Sequence, residues 1–142
     1  MNLSDHFTLA ELTTTENRQF LEENSNPPPE IIESLKNTAK GLELVRSLLG
    51  HPVHINSGYR CPALNAAVGG QKTSQHLSGE AADMVCPGFG TPREIAEEIA
   101  ACNIVFDQCI LEFDRWVHVS FSGRNRRQVL TINKAGTHQG IV

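Results

Sequence analysis

Two short segments of the chain carry donor groups of the kind that bind metals. Ser74-Gln75-His76-Leu77-Ser78-Gly79-Glu80-Ala81-Ala82-Asp83 contains one imidazole and one carboxylate, and Trp116-Val117-His118-Val119-Ser120 adds a second imidazole. His76, Asp83 and His118 together make the ligand set of an open catalytic zinc site. Three protein ligands hold one tetrahedral Zn2+ and leave the fourth position to a water whose pKa falls toward neutrality. Histidine and carboxylate ligands also accept other divalent metals. Such a site hydrolyses bonds when a general base stands beside the water. Glu112 and Asp114 are the two candidates. Glu112 comes at the end of a strand-like run, while Asp114 falls in an expected turn, where Asp is common for local hydrogen bonding.

These groups need elements to position them. His76 and Asp83 are seven positions apart, too far along a helix to close on one ion as an H-E-x-x-H pair would, so a loop ending in a strand has to bring them together. Gly79 permits the turn between them. Ala81 to Val85 reads as a short apolar strand carrying Asp83. Asp107 to Glu112 and Trp116 to Phe121 are strand-like runs separated by Phe113-Asp114-Arg115, the pattern of a hairpin. In the second run Val117 and Val119 should point to one face. His118 then shares the other with Trp116 and Ser120. Val53 to Asn56 alternates like a strand, and Gln128 to Ile132 could add another.

Helical signals lie mostly in the first half. Thr8-Leu9-Ala10-Glu11 fits a capping box. From Glu30 the apolar residues Ile31, Leu35, Ala39, Leu42, Val45 and Leu49 recur at helical intervals up to Gly50. Ala63 to Val68 suits a helical turn. Thr91-Pro92-Arg93-Glu94 supplies an N-cap, a proline at the first helical position and a capping glutamate for a helix reaching about Cys102. The expected fold is therefore a single α+β domain over residues 1–133, a small, mainly antiparallel sheet with helices packed against it. Residues 134–142 have two glycines and little periodicity, and are expected to form a flexible tail.

At 142 residues the chain can bury a core without disulfide staples. Its net charge of 12 − 16 = −4 argues against nucleic acid as a partner. No apolar run approaches the roughly 20 residues that span a bilayer. Met1-Asn2-Leu3-Ser4-Asp5 has neither the basic nor the apolar part of a signal peptide, so a cytoplasmic location as synthesised, and a monomer, are the expectation. Cys61, Cys86, Cys102 and Cys109 show no C-x-x-C pair and read as reduced, buried core residues rather than ligands. Arg124, Arg126 and Arg127 read as a solvated basic patch that could touch anionic polymer, and His54 as structural.

Ser57-Gly58-Tyr59-Arg60, Ser74-x-His76-x-x-Gly79-x-Ala81-x-Asp83 and Trp116-x-His118 resemble the zinc D-Ala-D-Ala carboxypeptidase and L-alanyl-D-glutamate endopeptidase family. The resemblance runs from about Phe7 to Ser122. It implies a fold like that of the D,D-peptidases and the Hedgehog signalling domain, one Zn2+ on His76, Asp83 and His118, and a peptidoglycan peptide as substrate. Arg60 would bind the substrate's carboxylate or polarise its carbonyl. Ser74 would brace the loop or hydrogen-bond near the site, Gln75 would line the site, and Trp116 is either a wall of the substrate groove or ordinary sheet packing. Several family members carry the catalytic acid three residues before the last histidine, where Arg115 stands here. The spacing of Glu112 to His118 resembles members with the acid six residues upstream. The family includes cell-wall enzymes and phage endolysins, released to the wall by a holin. A catalytically silent zinc-stabilised binding or phage structural module is the alternative, and a cytoplasmic peptidase acting on recycled wall peptides a third reading.

Overall fold

The computed structural model describes residues 1–142. Each helix signal of the sequence becomes a helix. The short α1 (Leu9–Leu12) opens on a full capping box, in which Thr8 Oγ1 accepts from Glu11 N and the Glu11 carboxylate accepts from Thr8 N. After α2 (Leu21–Asn24) the long α3 (Pro29–Leu49) begins with proline in its first turn and ends at Gly50. Leu35, Ala39, Leu42, Val45 and Leu49 form its buried stripe. The chain continues through β1 (His54–Ser57), α4 (Pro62–Ala67), β2 (Ala81–Val85) and α5 (Pro92–Ala101), the last opened by a second capping box on Thr91 and Glu94. Four more strands complete it: β3 (Gln108–Glu112), β4 (Trp116–Ser120), β5 (Gln128–Asn133) and β6 (Gly136–Gln139). No helix is long and apolar enough to cross a membrane.

The six strands make one sheet in the order β1-β2-β4-β3-β5-β6. All neighbours run antiparallel except β3 and β5, which are parallel. The hairpin between β3 and β4 turns where expected. Phe113 and Asp114 have φ of 55° and 54°, and Arg115 N donates to Glu112 O at 3.0 Å. Two central residues with positive φ are the signature of the type I′ turn, whose twist matches that of the strands.

One face of the sheet is dry. Ala82, Met84, Cys109, Leu111, Val117 and Val119 are buried there with the stripe of α3 and with Ile95, Ala96 and Ile99 of α5. Strand alternation therefore sends Asp83, Glu112, Trp116 and His118 to the opposite face. The helices build the floor, and the chemistry sits on the uncovered side.

The C-terminal stretch departs from expectation. Residues 134–142 are not a flexible tail over their length, because Gly136–Gln139 form β6 along β5. Further bonds hold the residues beyond β6. Thr131 Oγ1 donates to Gly140 O at 2.7 Å, and Val142 N donates to Thr131 Oγ1 at 3.1 Å. A turn at Lys134 and Ala135 supplies the hairpin, and backbone pairing needs no apolar periodicity, which is why composition does not reveal it.

Candidate metal centre

Strand pairing places half of the site. The register of β2 and β4 sets Asp83 directly opposite His118, and that of β3 and β4 sets Ile110 opposite His118 and Glu112 opposite Trp116. Glu112 is thus the diagonal neighbour of His118 on the same face, within side-chain reach. His118 Nδ1 lies 3.1 Å from Asp83 Oδ1 and 3.7 Å from Glu112 Oε1.

A loop places the other half. His76 is buried in the turn between α4 and β2, and its Nε2 lies 3.2 Å from Asp83 Oδ1. Its orientation is set from several sides. His76 Nδ1 donates to the Gly58 carbonyl at 2.7 Å, His76 N donates to Ser74 Oγ at 3.2 Å, and His76 O accepts from Arg60 N at 3.0 Å. Gly79, at φ +74°, turns the chain toward Asp83, and Thr38 Oγ1 of α3 donates to its carbonyl at 2.7 Å. The loop that supplies the Gly58 carbonyl is itself pinned. A Cβ on Gly58 would sit 2.3 Å from Leu12 O, so only glycine allows that approach. Beside it, Tyr59 N donates to Leu12 O, and buried Asn24 bridges Thr13 O, Tyr59 O and Cys61 N.

The donor set fits a small divalent cation. A carbonyl can only accept, so the bond to Gly58 puts the neutral His76 proton on Nδ1 and leaves a lone pair on Nε2 facing Asp83. Two acceptors 3.2 Å apart repel unless positive charge lies with them. His76, Asp83 and His118 can each offer one ligand atom, all within 4.8 Å of one another. A tetrahedral zinc at its usual bond lengths holds its N and O donors roughly 3.3 Å apart, close to the spacing found here. Burial pulls the Asp83 pKa up, but the His118 and His76 rings beside it outweigh burial and hold the carboxyl well below its ordinary range, the ionised form a cation needs.

Glu112 is not part of that trio, and its electrostatics run the other way. Burial and then the charge of Asp83 push its pKa up. The Trp116 indole N–H is near enough to favour the anion slightly, yet it has no partner of hydrogen-bond geometry. Asp114, the rival base, is exposed at the hairpin tip and pairs with Arg93 instead.

A cleft of ≈ 540 Å³ opens over this centre, lined by Arg60, Ser74, Gln75, Trp116 and the donor residues. Every residue read from the sequence as catalytic, substrate-binding or metal-ligating therefore meets in one place. The Arg60 guanidinium is lowered in pKa by burial, opposed by the nearby Asp83 and Glu112 charges. Its one side-chain bond is a long 3.4 Å contact from Nη2 to Ser74 Oγ, and its Nε has none.

One group is not singled out by the sequence patterns. Asp107, fully buried, accepts from Gln75 Nε2 at 2.7 Å and from Arg126 N, Nε and Nη2 at 3.1, 2.7 and 2.9 Å. It clamps the loop bearing His76 to the segment that carries the chain from β4 across to β5. Hydrogen bonds from Arg126 outweigh its burial and keep its carboxyl well below the usual range. The available signal was a lone Asp inside the run Val105-Phe106-Asp107-Gln108-Cys109-Ile110. The three arginines are accordingly not one solvated patch. Arg126 holds Asp107, and Arg127 donates to the carbonyls of Ala100, Cys102 and Ile104 while covering the Phe106 ring. Arg124 is exposed on the cleft rim and forms no ion pair. The four cysteines are free, and His54 is exposed on the edge strand.

Residues 5–120 match the model of the family described as Peptidase M15. No curated protein matches the chain. With most of its length covered by the family model, and with the motifs that carry the resemblance gathered at one cleft, the chain belongs to the M15 peptidase family.

Proposed function

We propose that this M15 peptidase is a zinc enzyme that hydrolyses peptide bonds in the stem peptides of peptidoglycan. The observation that carries the reading is the convergence of three lone-pair donors on one point, with a separate carboxylate held beside them. His76, Asp83 and His118 would hold the ion. When bound, zinc would supply Lewis acidity, polarising the scissile carbonyl and lowering the pKa of a water.

The remaining chemistry belongs to the chain. Glu112 takes a proton from the attacking water as its oxygen bonds to the acyl carbon, then delivers that proton to the nitrogen as the C–N bond breaks. Burial raises the basicity of Glu112, which suits a group that must both take and return a proton. Arg60, with donors to spare and few partners, orients a substrate carbonyl or carboxylate. Ser74 holds the His76 backbone, while Gln75 and Trp116 form walls of the cleft. The peptidoglycan substrate rests on the motif resemblance and on a polar cleft suited to a peptide.

Mass spectrometry of purified stem peptides incubated with zinc-loaded protein tests this. New fragments are expected, and Glu112→Ala should lower turnover by about 10²- to 10⁴-fold while keeping its zinc. A peptide pool left intact by the wild-type protein across several wall types would instead favour a zinc-stabilised binding module.

A further inference from the structure

An asparagine side chain has a nitrogen that donates and an oxygen that accepts, and a buried one needs partners for both. Asn65 of α4 is 4% exposed, yet only its nitrogen is partnered. Nδ2 donates to the Gln71 carbonyl at 3.0 Å. A carbonyl can only accept, so this bond fixes which end of the amide is nitrogen and turns Oδ1 away from Gln71. Oδ1 is buried with no hydrogen-bond partner. The chain folds back over it after α4, where Gly69 has φ +73° and Gly70 N donates to Asn65 O at 2.8 Å. A Cβ on Gly70 would overlap Asn65 Oδ1 and lie 3.1 Å from Arg60 Nη1. The missing side chain therefore leaves a buried acceptor and a guanidinium donor bordering one small space.

Arg60 needs such a partner. The charges of Asp83 and Glu112 both act on it, yet it forms an ion pair with neither. Ser74 Oγ holds Nη2 by a long contact, and Nη1 has no bond. A guanidinium free to swing would settle on the carboxylates, since charge-assisted pairs are the strong ones. That would consume both the group that orients substrate and the base beside the metal. A neutral acceptor next to Nη1 opposes the swing without adding a charge. Arg60 and Gly70 line the cleft and Asn65 does not, so Asn65 acts through Arg60 rather than on substrate. We propose that Asn65 is a positioning residue, whose Oδ1 accepts from Arg60 Nη1 across the gap left by Gly70 and keeps the guanidinium off Asp83 and Glu112. This rests on the substrate-orienting role given to Arg60 above and deepens it.

Two measurements on the zinc-loaded full-length protein test this. The first is the kinetics of stem-peptide cleavage. Asn65→Ala should lower kcat/KM about tenfold with zinc content unchanged, and in an Arg60→Ala background it should lower it no further. Gly70→Ala keeps both groups and fills the space between them, so it should cause a similar loss, and it serves for both measurements if Asn65→Ala does not fold. The second measurement needs no turnover. In nitrogen-15 NMR at low temperature, an Nη1 held by Asn65 Oδ1 rotates slowly about its bond to Cζ and stays distinct from Nη2. Separate Arg60 signals are expected, identified by their absence from Arg60→Lys, and they should merge in Asn65→Ala and in Gly70→Ala. Signals already merged in the wild-type protein, or an equal loss of kcat/KM from Asn65→Ala with and without Arg60, would overturn the inference. Distinct signals that depend on Asn65, in a protein that cleaves no stem peptide, would uphold the contact and defeat the peptidase reading instead.

Discussion

The two halves of the metal centre are held by different means. Asp83, His118 and Glu112 stand on neighbouring strands of the sheet, where backbone register alone makes them neighbours. His76 and Arg60 stand on loops, and each of their positions depends on a hydrogen bond to a residue distant in sequence. The strand half tolerates little change in identity but has redundant support from the core beneath it. The loop half can be dismantled without touching a donor residue. Asp107, Gln75, Gly58 and Asn24 are the points at which that would happen.

The strand half breaks most simply by loss of a donor. His118→Ala should weaken zinc binding by well over about 100-fold, more than loss of any supporting residue. Zinc stoichiometry at micromolar protein measures this, and an unaltered value would remove His118 from the ligand set. Stability should change less, since Val117 and Val119 keep the strand anchored.

Asp107→Asn should have the next effect, and on two readouts at once. It leaves Arg126 without its carboxylate and replaces one of the two acceptor oxygens shared by Gln75 and Arg126 with an NH2 donor. The expected loss of stability is about 2–4 kcal/mol, as for a broken, partly buried ion pair. Zinc affinity should fall by about tenfold, although Asp107 contacts no donor residue. Calorimetry and zinc titration check the pair. A stability loss with unchanged zinc affinity would show that the clamp serves the fold alone.

Gly58→Ala should come third. The added methyl meets a backbone oxygen, which cannot step aside as a side chain could, so the carbonyl that orients His76 must move. Zinc affinity is expected to drop about 10-fold with a stability cost of roughly 1–2 kcal/mol, read by the same titration. An equal effect from alanine at the exposed Gly123, where nothing lies near a Cβ, would remove the special role of Gly58.

The smallest effect is on pH dependence. The carboxyl of Asp107 is depressed in the folded state, so its contribution is present above the ordinary unfolded pKa of about 4 and is lost as pH falls below it. Thermal unfolding midpoints should therefore fall as the pH drops from about 5 toward 2, and Asp107→Asn should flatten that slope. An unchanged slope in the variant would move acid sensitivity to other carboxylates.

Much of this is legible in the sequence because local signals and the fold agree. The capping boxes at Thr8 and Thr91, the stripe of α3 and the alternation of β4 are short-range patterns with one physical solution each. The same alternation puts His118 and Trp116 on one face from the spacing alone. Two things are not legible. Residues 136–139 pair through their backbones, which leaves no imprint on a polar, glycine-containing stretch. The parallel pairing of β3 with β5 arises from a crossover whose direction no side-chain period encodes.

Which groups could do chemistry, and which strands present them, is readable along the chain, because residue type and a period of two are local properties. That the Gly58 carbonyl selects the His76 tautomer, and that Asp107 ties Gln75 to Arg126, follows from how the elements pack. Packing likewise sets Arg60 facing two carboxylates at the edge of an open groove. Those relations join residues 18, 32 and 19 positions apart, and Arg60 to Glu112 within one cleft. Distances of that kind are set by how elements pack against one another, which no window of sequence contains.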